Sequence, residues 1–138
     1  MARGGINHLA LTVSNLAESE SGFYAPVLGF LGYEKFEDIP NRMTLWFNPV
    51  VGLALNLWQS EPGSHPHRRL APGYHHCAFG LESRAEVDEL FGLLQSQGIQ
   101  VLDAPAEYPQ YAPGYYAVNF EDDDGLKFEA VHMPSFPT

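Results

Sequence analysis

Polar and apolar residues alternate in short runs along much of the chain, and two of these runs are alike. Residues 6–13 read Ile-Asn-His-Leu-Ala-Leu-Thr-Val, and residues 74–81 read Tyr-His-His-Cys-Ala-Phe-Gly-Leu. Both are period-two strand patterns with histidine third and alanine fifth, the mark of an internal repeat. A helix is predicted after each. In the second, Ser83 is an N-cap with Glu86 three residues on, forming a capping box. Val87, Leu90, Phe91 and Leu94 follow at helical spacing, and Gly98 supplies the stop. The first is predicted from about Asn15 to Tyr24, with Leu16 and Phe23 inward and Pro26 ending or kinking it. Three further strand-like pieces follow each helix, at 31–37, 42–48 and 52–59, and at 99–103, 114–120 and 125–132. The segment from Gly52 to Leu57 also matches that from Gly125 to Ala130. The order is therefore βαβββ twice, in modules 1–59 and 73–138 joined by a polar linker, 60–72. Neither module would bury its sheet face alone, so the two are expected to pair within or between chains.

Composition narrows the function classes. The 138 residues are 45% hydrophobic and 17% charged, enough apolar content for a packed core and against wholesale disorder. Seven Lys and Arg stand against 17 Asp and Glu, for a net charge of −10. The densest basic cluster is the pair Arg68-Arg69, so neither nucleic acid nor an anionic membrane surface is an expected partner. Apolar runs fall far short of a membrane span, and no signal peptide is recognisable. The single cysteine, Cys77, cannot close an internal disulfide, which makes the cytoplasm the expected location.

Strand alternation sorts side chains by face. Leu9, Leu11 and Val13 oppose His8, Ala10 and Thr12, while Cys77, Phe79 and Leu81 oppose His76, Ala78 and Gly80. Leu53, Leu55 and Leu57 oppose Ala54, Asn56 and Trp58, and Tyr116, Val118 and Phe120 oppose Tyr115, Ala117 and Asn119. Met43, Leu45 and Phe47 oppose Arg42, Thr44 and Trp46. In each strand one face is greasy, suited to helices. The other mixes polar, small and aromatic residues, as a ligand cavity requires. This assigns Arg42, Trp46, Asn56, Trp58 and Tyr115 to the cavity face and places His75 on the helix side or its rim. His8, His76 and Glu129 then fall on the cavity face of three strands. Two imidazoles and a carboxylate form a facial triad for a divalent ion with open coordination positions. Any one of the three alone reads as a hydrogen-bonded structural residue; their repeat-related positions on one face point to a site.

His8-Leu-Ala-Leu-Thr-Val, Phe23-Tyr-Ala-Pro-Val-Leu-Gly-Phe, His76-Cys-Ala-Phe, and the segment from Phe120 to Glu129 together resemble the vicinal oxygen chelate superfamily. That superfamily includes glyoxalase I, fosfomycin- and bleomycin-resistance proteins and extradiol dioxygenases. The resemblance implies an α+β fold whose two βαβββ modules form an open, curved mixed β-sheet barrel with helices outside. It implies His8, His76 and Glu129 as ligands of one divalent transition metal (Fe, Mn, Ni, Co or Zn), a small-molecule substrate chelated through vicinal oxygens, and a homodimer. Asn56 departs from the pattern: it lies where glyoxalase I usually carries a second carboxylate, and an amide neither abstracts a proton nor ligates strongly. Tyr115 is the expected acid/base or substrate-contacting hydroxyl, and Asn56, Trp46, Trp58 and Arg42 are expected substrate contacts. The alternative from another class is a bleomycin-resistance-type binding protein without catalytic metal. His65 and His67 are expected in a mobile loop, and the Tyr108-to-Tyr115 segment near the cavity mouth.

Overall fold

The structure is a computed structural model that describes residues 3–135. It divides into two compact units between His65 and Pro66. In the first, β1 (His8–Val13), β2 (Glu34–Ile39), β3 (Met43–Asn48) and β4 (Leu53–Gln59) form one mixed sheet in the order β1-β4-β3-β2. In the second, β5 (His76–Gly80), β6 (Gln100–Glu107), β7 (Tyr116–Glu121) and β8 (Lys127–His132) repeat that order as β5-β8-β7-β6. In each sheet the first strand pairs parallel with the last and the remaining pairs are antiparallel. The expected α+β class and the doubled βαβββ order are both present.

The helices cover one face of each sheet. In the second unit α3 (Arg84–Ser96) is capped as the sequence predicts: the Ser83 side chain accepts from the Glu86 N–H at 3.1 Å. Glu86 reaches back to the N–H of Glu82, one residue earlier than the usual box, at 3.0 Å. Val87, Leu90 and Leu94 are fully buried, and α3 packs on β6, β7 and β8. Burial of each such side chain contributes about 1.5–3 kcal/mol. Beneath it lie Phe120 and Val118 of β7 and Phe128 and Ala130 of β8, all buried.

In the first unit the helical segment runs past its expected end near Tyr24: α1 (Leu16–Ser19), a π-helical turn (Glu20–Tyr24) and α2 (Ala25–Phe30) follow one another as one continuous stretch, irregular just before Pro26. The widened turn is the reason. The Ala25 N–H bonds to the carbonyl of Glu20, five residues back, so Pro26 opens a new helical segment, where the missing N–H costs least. Val27 and Leu28 are buried, as are Leu55 and Leu57 of β4.

In the linker the ring of His67 lies edge-on to Tyr74, with centroids 5.9 Å apart. Among the described residues no helix is long and apolar enough to cross a membrane.

Candidate functional site in the second unit

Cross-strand register places the functional side chains. On the face of the second sheet away from α3, Ala78, Glu129, Asn119 and Asp103 form one row across β5, β8, β7 and β6. His76 and Lys127 are partners in the adjoining row. Above them the loop between β6 and β7 carries three tyrosines. Tyr108 and Tyr111 stack with centroids 5.6 Å apart, and Tyr115 meets both edge-on at 6.1 and 5.3 Å. His75, His76, Asp103, these three tyrosines, Asn119, Lys127 and Glu129 line one pocket of about 450 Å³, large enough for a small organic molecule.

The chemistry centres on Glu129. Its carboxylate is buried at 8% exposure, and its two oxygens have different partners. Oε2 lies 3.4 Å from His76 Nε2, and Oε1 accepts a hydrogen bond from the Tyr115 hydroxyl. Burial first, then the Glu129 carboxylate, pushes the Tyr115 phenol well above its usual range, so it holds its proton at neutral pH. Tyr115 therefore donates to the carboxylate. His76 is pushed below the usual imidazole range, chiefly by burial and next by the Lys127 charge, against the opposing pull of Glu129. Its neutral form, with a lone pair to offer, predominates at neutral pH. His76 Nδ1 lies 2.6 Å from Nδ1 of His75. The donor set of His76 Nε2 and Glu129 Oε2 fits a divalent transition metal, since imidazole and carboxylate converge with lone pairs available.

Of the expected site residues, the fold brings His76, Glu129 and Tyr115 together. His8 lies on the first unit's sheet, on the face away from the helices, with its Nδ1 2.9 Å from Asn7 Oδ1. Asn56 and Trp58 share that face, partnered by Ala10 and Thr12. Among the described residues, neither unit by itself groups three His, Cys, Asp or Glu side chains for a metal.

Trp46 corrects the face assignment. Its cross-strand partner is the fully buried Leu55, and its indole N–H donates to Glu20 Oε2 at 3.1 Å, so it packs beneath the helices and not in the cavity. Lys35 holds the other oxygen of Glu20 at 2.6 Å. Arg42 enters β3 on the same side by alternation and is exposed. Alternation sorts residues into two sets without saying which set meets the helix, and here the set with the larger aromatic does.

His75 is a second correction: it precedes β5 and lines the pocket with His76. Asn119 lies on the cavity face as alternation predicts, and Tyr108 and Tyr111 belong to the segment expected near the cavity mouth, whereas Asp103 was not foreseen.

The model of the Glyoxalase/Bleomycin resistance protein/Dioxygenase superfamily matches residues 5–130. The chain belongs to that superfamily. The uncharacterized protein YqjT of Bacillus subtilis (strain 168) is 31% identical over 127 residues, covering 91% of this chain and 97% of its own. The crystal structure of a glyoxalase-type protein from Bacillus halodurans superposes with a TM-score of 0.80 at 30% identity, covering 95% of this chain and 97% of that one. A glyoxylase/bleomycin resistance protein/dioxygenase domain from Frankia sp. EAN1pec shares the fold, with a TM-score of 0.76 at 23% identity over 95% and 98% of the two chains. Glyoxalase-superfamily proteins include lyases, isomerases and dioxygenases, and their members typically use a divalent metal.

Proposed function

We propose that this glyoxalase-superfamily chain is a metal-dependent enzyme that binds a small substrate through vicinal oxygens. The observation that carries the reading is the convergence of His76 Nε2 and buried Glu129 Oε2, 3.4 Å apart, in a pocket of substrate size. His76 and Glu129 supply two ligands, and His8, at the repeat-equivalent strand position, supplies the third. Two histidines and a carboxylate leave coordination positions open and suit Fe, Mn, Ni, Co or Zn. A bound ion supplies Lewis-acid polarisation of substrate oxygens. Tyr115 orients the Glu129 carboxylate through its hydroxyl and is a positioning residue. His75, hydrogen-bonded to His76, fixes the ring so that Nε2 faces the carboxylate. Asn56 and Trp58 contribute substrate contacts from the first unit. A homodimer and a cytoplasmic location complete the reading.

The test is zinc titration by calorimetry on the intact protein and on His8→Ala, His76→Ala and Glu129→Gln. Saturable binding near one ion per chain, weakened in all three variants, supports the ligand set. Unchanged affinity in the His76 variant sinks it. A second reading is a binding protein of the bleomycin-resistance type, favoured by the tyrosine wall and by the two-ligand grouping within the second unit. Ligand binding that survives a chelator would select it.

A further inference from the structure

The pocket has two chemically different ends. His76 and Lys127 are cross-strand partners at one. Asp103 stands toward the other, separated from Glu129 by Asn119, which pairs with both. Two strand spacings put their backbones about 10 Å apart.

Asp103 reaches this face through an irregularity in β6. Val101 pairs with Phe120, Asp103 with Asn119 and Ala106 with Ala117, so the strand carries an extra residue on each side of Asp103. Regular pairing onward from Val101 would set Asp103 opposite Val118, on the face covered by α3. The bulge turns the carboxylate onto the pocket instead, the use to which bulges beside binding sites are put. The cost is interrupted ladder pairing on both sides of one aspartate. Among the described residues, none of the ion pairs involves Asp103.

The wall beside it is aromatic. Tyr108 and Tyr111 stack, Tyr115 closes edge-on, and Tyr108 is near enough to feel the Asp103 charge. Phenol faces are electron-rich, and together with a carboxylate in no ion pair among the described residues they attract a positive ligand group over a neutral one of equal shape.

We propose that this pocket selects a small molecule bearing an ammonium group, seated against Asp103 and the tyrosine wall, with its oxygen functions directed toward His76 and Lys127. The inference rests on the reading of this pocket as the ligand site and names the class of substrate it admits. Asp103 is the specificity-determining residue.

The test uses three probes of similar size on the full-length protein: phenethylamine, 2-phenylethanol and 3-phenylpropionate. The titrations are run with a chelator present, because the amine and the carboxylate can each ligate a metal, so the result does not depend on one. Affinities are read from NMR shifts of the tyrosine rings. The amine is expected to bind about tenfold more tightly than the alcohol, and the carboxylate most weakly. Asp103→Asn should bring amine and alcohol within about twofold, and Tyr111→Leu should weaken the amine about threefold. Tyr111 is exposed on its loop, so that variant keeps the fold. Equal binding of amine and alcohol, a preference that survives Asp103→Asn, or no saturable shift with the amine overturns the proposal. Absence of zinc binding by the unmutated protein, with the amine preference intact, would instead fault the metal reading.

Discussion

Replacing Tyr115 by phenylalanine removes one oxygen and leaves the ring contacts with Tyr108 and Tyr111 in place. What is lost is the hydroxyl that donates to Glu129 Oε1. A hydrogen bond to a charged acceptor is worth about 1.5–3 kcal/mol, and leaving the buried carboxylate short of a donor brings the loss toward the upper part of that range. Relief of the phenol's own burial offsets some of it, so a net loss of about 1–2 kcal/mol is expected. For a chain of this size that lowers Tm by about 3–8 °C. The same change loosens the carboxylate's orientation, so zinc affinity should fall about 10-fold or more, as for other residues that support a metal ligand. Thermal melts of metal-free protein and zinc titrations read the two effects separately. A double-mutant cycle isolates the bond: on a Glu129→Gln background the same substitution should cost at least 1 kcal/mol less, by the coupling estimate for contacting residues. Additive stability losses, or unaltered Tm and zinc affinity, would refute the argument that Tyr115 acts through Glu129.

Three further outcomes follow from other parts of the structure. Gly114 has φ +77, and a Cβ there would lie 2.9 Å from Pro134 Cγ, so Gly114→Ala should destabilise by about 1–3 kcal/mol in urea melts and disturb the neighbouring Tyr115. Trp46→Phe removes the donor to Glu20 in the first unit; it should cost about 1.5–3 kcal/mol while leaving zinc affinity within about twofold, since the indole faces the helices. Burial pushes the Cys77 thiol and the Tyr74 phenol above their ordinary values of 9.0 and 10.0, the latter well above it. Both groups thus favour the protonated form when folded. Their stabilisation is full below the unfolded values and lost as pH rises toward the folded ones, so the urea midpoint should fall between about pH 9 and pH 11. A flat alkaline profile would contradict their burial.

Much of the fold was legible because the signals were local and repeated. His8 and His76 begin equivalent strands, Ser83 and Glu86 cap α3, and the seam of Val87, Leu90 and Leu94 is buried as its spacing demands. In the second unit alternation also set His76, Glu129 and Tyr115 on the correct face. It failed where geometry departs from regular periods. The π-helical turn carried the first helical stretch past Pro26, because an i→i+5 bond is invisible to a 3.6-residue pattern. The bulges around Asp103 reversed the face that counting would give it. Trp46 was missed for a different reason: both residue sets of β3 are apolar enough to be buried, and Glu20, 26 residues earlier, decides the matter by accepting the indole proton. A polar partner so distant in sequence leaves no trace in local pattern. The match to the superfamily model over residues 5–130 carries the fold, whereas the choice among its chemistries rests on the pocket's own side chains.

The central claim is that His76 and Glu129 hold a metal with His8. It is met most directly by elemental mass spectrometry of protein purified without an affinity tag, before and after metal reconstitution. The account predicts about one divalent transition metal per chain, lost in His8→Ala and in Glu129→Gln. Protein that stays metal-free after reconstitution, or variants that retain the full complement, would contradict it.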